Sequence, residues 1–269
     1  MKIKFFTLFA CVLLFSSCHQ NKEGIVKDLL DAENHYNLEK VSKLLTDSFI
    51  YHGVDTLTKE AYLSRLENLK EFECQASILG IQDLDSVVKT TEQSQTVIDL
   101  RLDIAPLVVL KKTYRFADDD KLISITVDSI LNYEEYLKSF YEKWAPLAFW
   151  AKDEYGIEDE MEMLPDIKKY LSEYTNLPAF NKKLYQNYAH LQGTYISKDC
   201  VFYKKLIFKG KRTVTIVDAI FEFPYATSYE LDENLVKIRT DQSDLLFEIQ
   251  DSQTLIGEGF AKGIFVKEK

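Results

Sequence analysis

The chain has 269 residues, of which 46% are hydrophobic and 13% aromatic, with only nine glycines and five prolines. This composition is typical of a globular protein with enough apolar side chains for one large core or two ordinary ones, and it excludes a disordered or collagen-like chain. The formal net charge is −10 at pH 7. Because an acidic surface repels polyanions, we expect no nucleic-acid partner.

The first 17 residues have the features of a signal peptide. Lys2 and Lys4 give a short positive start, and an uncharged apolar run of eleven residues follows from Phe5 to Phe15. This run is far shorter than the roughly 20 residues that span a bilayer. The segment is therefore predicted to direct export and not to form a membrane helix.

The apolar run ends at Ser16-Ser17-Cys18, and polar residues follow at once. Small residues before a cysteine in this position resemble the bacterial lipobox, in which the cysteine becomes the lipidated N-terminus after cleavage. The resemblance implies a lipoprotein signal peptide over residues 1–17, a lipid on Cys18 and a linker over residues 18–23. We thus expect an exported protein whose partner is the membrane, in the periplasm or on the cell surface. An ordinary cleaved signal with an incidental cysteine is the alternative.

Residues 22–69 predict three helices and one strand. Apolar residues recur at helical spacing in each predicted helix. Asn37 and Thr58 precede the second and third helices, where their side chains are suited to capping. The run Phe49–Tyr51 predicts a strand between those helices.

After the third helix the apolar period changes from about 3.6 to about 2 residues. Residues 96–104 alternate between aliphatic side chains such as Leu100 and charged ones such as Asp99. This alternation predicts a strand with its aliphatic face in the core and its charged face outside. Residues 111–130 predict a hairpin around a polar turn. Helices followed by antiparallel strands predict an α+β fold.

Three blocks in this part of the chain resemble the NTF2-like, or SnoaL-like, cone fold: NLEKVSKLLTDSFIYHG, TKEAYLSRLENL and YRFADDDKLISITVD. The resemblance covers residues 24–131. It implies three helices that close one end of a curved antiparallel sheet, and the sheet in turn wraps an apolar pocket. A homodimer formed through the sheet is the assembly that this fold suggests.

Residues 132–190 predict a helical, aromatic-rich connector. Aromatic side chains recur at helical spacing from Tyr133, and Pro146 is expected to end or kink this helix. Two further helices follow. The aromatic band that contains Trp144 and Trp150 is either a stacking platform for a flat ligand or a packing surface, and its helical spacing favours packing.

Residues 191–269 are rich in short alternating runs that turn signals separate, which predicts a small antiparallel β-barrel. The segment opens with Leu191-Gln192-Gly193-Thr194-Tyr195. This opening resembles the LxGxY start of small lipocalin-like domains. The resemblance carries no site residues.

The chain lacks the common motifs of metal and cofactor sites. It contains no phosphate-binding glycine loop, no G-x-S-x-G nucleophile elbow and no H-E-x-x-H sequence. The acidic run over residues 153–162 lacks the spacing of oxygen ligands in a calcium loop and predicts a solvated loop. We therefore expect neither a metal nor a cofactor.

The stretch after Phe49 holds candidates for acid–base chemistry. His52 and Asp55 have the residue types of a general base and of the group that orients it. Gly53 follows the histidine, and a glycine that supplies a positive φ in a tight turn favours an exposed corner over a preorganised site. A turn is thus the favoured interpretation of this stretch.

The family resemblance adds further candidates. Ketosteroid-isomerase-like members of the cone fold use a buried carboxylate as base, with a tyrosine nearby as hydrogen-bond donor. The nearest residues of these types are Tyr51, Asp99, Asp103 and Asp128. None of them is assigned a catalytic role on this basis.

Aromatic side chains are the candidate ligand contacts: Tyr51, Tyr62, Tyr114, Phe116, Trp144 and Trp150. We expect a non-enzymatic binding module for a small apolar or amphipathic ligand or for an envelope protein. The alternative is a cofactor-independent isomerase or cyclase that acts in the cone pocket. A titratable side chain in the pocket would favour the enzyme, because a purely apolar pocket cannot move protons.

Replacing Cys18 by serine should release the protein from the membrane fraction, because the lipid would have no thiol to attach to. Immunoblots of separated soluble and membrane fractions measure this. Cys11→Ser, within the apolar run, is the matched control and should leave the distribution unchanged. Full membrane retention of the Cys18 variant would contradict the lipid attachment.

Overall fold

The computed structural model describes residues 21–268, which divide into two compact units. The first unit consists of the described residues up to Leu100 together with Ala105–Leu137, and the second of Arg101–Ile104 together with the chain from Lys138. Each unit has its own hydrophobic core. Cys18 lies outside the described residues, so its lipidation stays a prediction.

The first unit begins with the three predicted helices. They are α1 (Lys22–Asn34), α2 (Leu38–Leu44) and α3 (Lys59–Leu69), the last followed by a 3₁₀ turn (Lys70–Phe72). Both predicted caps are present: the Asn37 side chain accepts a hydrogen bond from the Lys40 backbone N–H at 3.0 Å, and the Thr58 hydroxyl accepts one from Ala61 at 3.4 Å. Local sequence therefore determines where α2 and α3 start.

These helices pack on a six-stranded sheet. Its strands are β1 (Leu45–His52), β2 (Thr56–Thr58), β3 (Gln75–Leu84), β4 (Val87–Gln95), β5 (Val108–Phe116) and β6 (Leu122–Ile130), in the order β2-β1-β6-β5-β4-β3. All neighbours are antiparallel except β1 and β6, which pair in parallel. Register shifts in β3, β5 and β6 accompany the curvature of the sheet. The predicted α+β class is confirmed, with this parallel pair as the departure from a purely antiparallel sheet.

The inner face of the sheet and the helices share one core. Its most buried members include Val26 and Leu29 of α1 and Phe49 of β1, each at most 1% exposed. Full burial of an aliphatic or phenyl side chain contributes roughly 1.5–3 kcal/mol. The apolar helix stripes read from the sequence are therefore the contact surface between helices and sheet.

The strand predicted over residues 96–104 is wrong, because Val97–Leu102 is a short helix, α4. Thr96 and Asp99 form a reciprocal capping pair: the Thr96 N–H donates to the Asp99 carboxylate at 2.7 Å, and the Asp99 N–H donates to the Thr96 hydroxyl at 3.2 Å. This pair turns the chain, so Asp99 is buried and Leu100 is 64% exposed. The Asp99 side chain, predicted to face solvent, is therefore inside, and the Leu100 side chain, predicted to face the core, is outside.

The connector is helical as predicted. It contains α5 (Tyr133–Tyr155), a 3₁₀ segment (Glu160–Asp166), α6 (Ile167–Thr175) and α7 (Ala179–Leu191). Pro146 does not end α5; buried side chains on both sides of it, Trp144 and Leu147 among them, hold the helix together. The acidic run is a loop only between α5 and the 3₁₀ segment, since its two ends are helical.

The second unit ends in a closed antiparallel barrel of eight strands. They are β7 (Gly193–Ser197), β8 (Tyr203–Lys209), β9 (Thr213–Asp218), β10 (Pro224–Asp232), β11 (Leu235–Ile238), β12 (Leu245–Asp251), β13 (Thr254–Gly257) and β14 (Gly263–Lys267). Each strand pairs with the next in sequence, and β14 closes on β7. The predicted barrel is confirmed, and its lipocalin-like character stays a prediction.

The barrel interior is filled by side chains. Five aromatic residues are at most 2% exposed: Tyr195, Phe208, Tyr229, Phe247 and Phe265. An eight-stranded barrel is just wide enough to be packed in this way. Within residues 21–268, no helix is both long and apolar enough to cross a membrane.

Replacing Asp99 by alanine should lower the free energy of unfolding by about 1–3 kcal/mol, because the Thr96 N–H, the Thr96 hydroxyl and the Tyr136 hydroxyl each lose their acceptor. Leu100→Ala, at an exposed position, should change it by less than about 0.5 kcal/mol. Urea unfolding of both variants measures the difference. The reverse ranking would restore the strand interpretation.

Candidate functional site

A cavity of about 130 Å³ lies between α1, α3 and the inner face of the sheet in the first unit. Its volume is close to that of an engineered cavity of about 150 Å³ that binds benzene. The wall is apolar at Leu66, Leu69 and Leu110. The polar and titratable residues on the wall include Glu33, Tyr51, Tyr62, Arg65, Cys74 and Lys112. The pocket therefore has mixed polarity and is not the apolar pocket that the resemblance implies.

Glu33 reaches the pocket from the last turn of α1. The next residue, Asn34, anchors this turn to β3: its amide donates to the Ala76 carbonyl at 2.9 Å and accepts from the Ala76 N–H at 2.8 Å. The Tyr36 hydroxyl donates to the Cys74 carbonyl at 2.7 Å. These contacts hold the backbone that carries Glu33 against the sheet.

A buried ion pair lies on the inner face of the sheet. The Lys112 ammonium donates to Glu92 at 2.7 Å, and the Glu92 side chain has no exposed surface. The Thr90 and Tyr114 hydroxyls each donate to the other carboxylate oxygen at 2.5 Å. Because an ion pair in a core is stable only when further hydrogen bonds satisfy the charges, this network holds Glu92 in one orientation.

The two carboxyl groups have opposite pKa shifts. Burial raises the pKa of Glu33, and the attraction of Lys112 and the hydrogen bond from Tyr62 offset this only in part. Burial also opposes ionisation of Glu92, but Lys112 and the hydroxyl donors outweigh it and lower the pKa of that carboxyl. The environment thus favours the charged form of Glu92, whereas Glu33 is suited to exchanging a proton.

Two tyrosines cover the polar centre. Tyr62 donates its hydroxyl to Glu33, and its ring stacks on Tyr51 with centroids 5.1 Å apart. Burial and the neighbouring Glu33 raise the pKa of Tyr62 well above its usual value, so its hydroxyl stays protonated as a donor. Arg65 lies over the Tyr51 ring at 5.5 Å. Burial raises the pKa of the Cys74 thiol, so this side chain lines the pocket as a neutral group.

Two of the six aromatic candidates, Tyr51 and Tyr62, line the pocket. Tyr114 is a member of the network beneath it, through its bond to Glu92. Phe116 packs against the core, with the Lys22 ammonium 5.7 Å above its ring. The structure therefore brings three of the four candidates from the first unit to one site.

The tryptophan candidates belong to the second unit and are buried. The Trp144 indole N–H donates to Glu160 at 2.5 Å. Trp150 packs against Tyr155 and Tyr174, at 5.5 and 5.7 Å between ring centroids. Their faces are occupied by other side chains of the same unit, which fits the packing interpretation of the aromatic band.

His52, the last residue of β1, and Asp55, in the turn to β2, are exposed, and the Gly53 N–H donates to the Asp55 carbonyl at 3.0 Å. Gly53 does not have the positive φ that the sequence suggested. It is needed because a Cβ there would lie 2.5 Å from Cε1 of Tyr51. Glycine at this turn therefore leaves room for a pocket tyrosine.

The remaining carboxylate candidates lie away from the pocket wall. Asp128 is exposed on β6 and accepts a hydrogen bond from the Thr113 hydroxyl at 2.7 Å. Asp99 is engaged in the cap of α4, and Asp103 follows that helix with a φ of 52°. Among the described residues, no group of three His, Cys, Asp or Glu side chains is placed to hold a metal ion.

Sequence reasoning missed Glu33, Glu92 and Lys112. A usable signal existed: Glu33 lies seven residues after Val26, on the apolar stripe of α1, and Glu92 follows Val88 and Thr90 in the inward phase of β4. A charged side chain at a core position is costly unless it has a partner. Such a position therefore marks a candidate site even without a motif.

No protein-family model and no curated protein matches this chain. Solved structures that resemble it include an NTF2-like protein of unknown function from Cytophaga hutchinsonii (12% identity, 44% of this chain and 96% of that one, TM-score 0.36). A second is a candidate SnoaL-like polyketide cyclase from Shewanella denitrificans (11% identity, 44% of this chain and 97% of that one, TM-score 0.38). A third is the candidate polyketide cyclase IdmH from Streptomyces antibioticus (16% identity, 45% of this chain and 98% of that one, TM-score 0.38). At these identities the likeness concerns the fold alone.

The raised pKa of Glu33 predicts a pH-dependent stability. The folded protein binds this proton more tightly than the unfolded chain, so the stabilising contribution is full below the ordinary value of 4.5 and is lost as the pH rises through the folded value. Glu33→Gln removes the titration and keeps an acceptor for Tyr62. The free energy of unfolding of the variant, relative to that of wild type, should therefore be larger at pH 7 than at pH 4, which means that the variant is relatively more stable at pH 7.

Urea unfolding at the two pH values measures this difference. Glu67→Gln, at an exposed position of α3, is the matched control and should show the same difference at both pH values. A Glu33→Gln effect that does not change with pH, or that reverses in sign, would show that burial does not raise this pKa.

Proposed function

We propose that the first unit is a cofactor-independent acid–base enzyme of the isomerase or cyclase type, with Glu33 as the proton carrier. One observation carries the proposal: the Glu33 carboxyl and the Lys112 ammonium lie on the wall of one pocket, and Glu92 is paired with Lys112 beneath it, so that the pKa values of the two carboxyl groups are shifted in opposite directions. Opposite shifts of neighbouring titratable groups are the usual arrangement of an acid–base site. A pocket built only for an apolar ligand has no need of them.

Each polar group has a role in such a reaction. Glu33 removes a proton from a carbon next to a carbonyl group and returns it at another position. Lys112, which Glu92 holds in place, stabilises the negative charge that develops on the carbonyl oxygen. The Tyr62 hydroxyl, which donates to Glu33, keeps the carboxylate oriented.

The dimensions of the pocket limit the substrate. A volume of about 130 Å³ accepts a group the size of one six-membered ring, or one end of a longer molecule. The leucines on the wall suit the carbon skeleton, and the polar centre suits a carbonyl oxygen. A small cyclic carbonyl compound combines both features.

Binding without reaction is the second candidate function. The observation in its favour is that both carboxylates already have donors, since Tyr62 bonds to Glu33 and Lys112 bonds to Glu92. Such a pocket also suits the capture of a small polar molecule. For either function we propose the cell envelope as the location, with Cys18 as the lipid anchor, on the basis of the sequence alone.

Hydrogen exchange tests the enzyme without knowledge of the product. Wild-type protein in D₂O is incubated with small cyclic ketones and 1,3-dicarbonyl compounds, and NMR follows the exchange of protons next to the carbonyl. Glu33→Gln should lower the catalysed exchange on the order of 10²–10⁴-fold. His52→Ala, in the exposed turn, is the control and should leave the rate unchanged.

Two results would contradict the enzyme. Exchange that is equal in wild type and Glu33→Gln would remove Glu33 from the chemistry. Saturable binding of a probe, detected by shifts of protein NMR signals without any catalysed exchange, would support the binding module instead.

A further inference from the structure

Arg65 lies at the mouth of the pocket in the first unit. It lines the pocket together with Tyr62, Leu66 and Leu69, which share one face of α3. Tyr62 and Leu66 are at most 7% exposed, whereas Arg65 is exposed. Because Arg65 borders both the cavity and solvent, it lies where the cavity opens. The contact between Tyr62 and Glu33 lies further in.

A ring holds the Arg65 side chain in place. The central carbon of the guanidinium is 5.5 Å from the centroid of the Tyr51 ring, and Tyr51 in turn stacks on Tyr62. This contact orders a long side chain before any ligand binds, which lowers the entropy lost on binding. The N–H donors of a guanidinium lie in its own plane, so a ring against its face leaves them available for an acceptor.

No acidic side chain neutralises Arg65. The residues three and four positions away on α3 are all uncharged: Ala61, Tyr62, Asn68 and Leu69. The acid on the pocket wall is Glu33, which accepts the hydroxyl of Tyr62, and burial raises the pKa of this carboxyl and favours its neutral form. Within residues 21–268, the guanidinium has neither an ion pair nor a hydrogen bond.

The charges of the pocket therefore favour a ligand with one negative charge. Lys112 and Glu92 compensate each other at 2.7 Å, which leaves Arg65 as the cation on the described wall without a counter-charge. A guanidinium forms two parallel hydrogen bonds with a carboxylate. A carboxylate also balances its single charge, whereas a phosphate monoester has a charge of about −1.5 to −2 at pH 7 and would need a second cation.

We propose that the pocket takes a small cyclic keto acid, whose carboxylate Arg65 binds at the mouth. The inference rests on the proposed function, since that function has Lys112 stabilise the carbonyl oxygen inside. The ring then occupies the volume of about 130 Å³ between the two cations, against Leu66 and Leu69. The substrate class is thereby narrowed from cyclic carbonyl compounds to those with a carboxylate on the side away from Lys112.

Two matched probes test the role of Arg65. 4-Oxocyclohexane-1-carboxylate and its methyl ester have the same ring and ketone, but only the acid is charged. Shifts of protein NMR signals give the Kd of each probe, and wild type should bind the acid more tightly. Arg65→Gln should weaken binding of the acid on the order of 10–100-fold and change binding of the ester less than about twofold, because only the acid loses a charged partner.

Two further variants serve as references. Arg115→Gln, at an exposed arginine of β5 that does not line the pocket, is the matched control and should leave both Kd values unchanged. Arg65→Lys keeps the charge and loses the paired donors, so its affinity for the acid should lie between those of wild type and Arg65→Gln.

Several results would overturn the inference. They are no saturable binding of the acid by wild type, equal affinity for acid and ester, and an equal loss of both in Arg65→Gln. Tighter binding of cyclohexyl phosphate than of cyclohexane carboxylate would overturn the assignment of a carboxylate.

The test separates this inference from the proposed function, because binding is measured without reaction. The proposed function fails if no proton next to the carbonyl exchanges, even where the acid is preferred. The inference fails if the acid is not preferred, even where exchange is catalysed. If both hold, Arg65→Gln should raise the KM for exchange of the acid and leave kcat nearly unchanged, because Arg65 does not touch the reacting atoms.

Discussion

The ion pair between Glu92 and Lys112 is the constraint on which the pocket of the first unit depends. Its two members are diagonal neighbours on β4 and β5, where Lys112 lies directly opposite Thr90, and they lie in the interior of the first unit, where an isolated charge costs several kcal/mol. The hydroxyls of Thr90 and Tyr114 complete the hydrogen bonds of the carboxylate. The core consequently has a polar centre, which Glu33 and Tyr62 extend towards the pocket in place of apolar side chains.

The two units divide the chemistry of the molecule between them. In the second unit the barrel interior is occupied by tightly packed rings, such as Phe247 and Phe265 at 5.3 Å between centroids. These rings form the hydrophobic core of the barrel. The first unit differs in having titratable groups in its interior, Glu33, Glu92 and Lys112 among them. The titratable interior is therefore a feature of the first unit, and the packed aromatic interior a feature of the second.

Glycines illustrate how one residue type meets different demands. Gly193, in the LxGxY opening, has a φ of 109°, which a residue with a side chain seldom adopts. Gly53 has no such φ, and its missing Cβ leaves room for the Tyr51 ring. Both glycines are visible in the sequence, yet their reasons differ, because the second depends on a ring that reaches back over the turn.

Periodicity and capping residues were sufficient to predict most elements. The helices that start after Asn37 and Thr58, the helical connector and the barrel all follow from local patterns, because caps and apolar repeats act within a few residues. The exception is residues 96–104, where alternation suggested a strand. The Thr96–Asp99 capping pair was also present in the sequence and it prevailed, since it satisfies backbone groups that an isolated strand would leave open.

By itself the sequence determined the α+β class, most of the elements and the presence of a barrel, because caps, turns and apolar repeats act within short stretches of the chain. Only the tertiary structure decided which polar residues meet. Glu33, Tyr62, Glu92 and Lys112 are spread over almost eighty positions. The folding of α1 and α3 onto β4 and β5 brings Glu33, Tyr62 and Lys112 to the wall of one pocket, with Glu92 paired to Lys112 beneath it. Their pKa shifts arise from burial and mutual attraction, which exist only once the chain has folded.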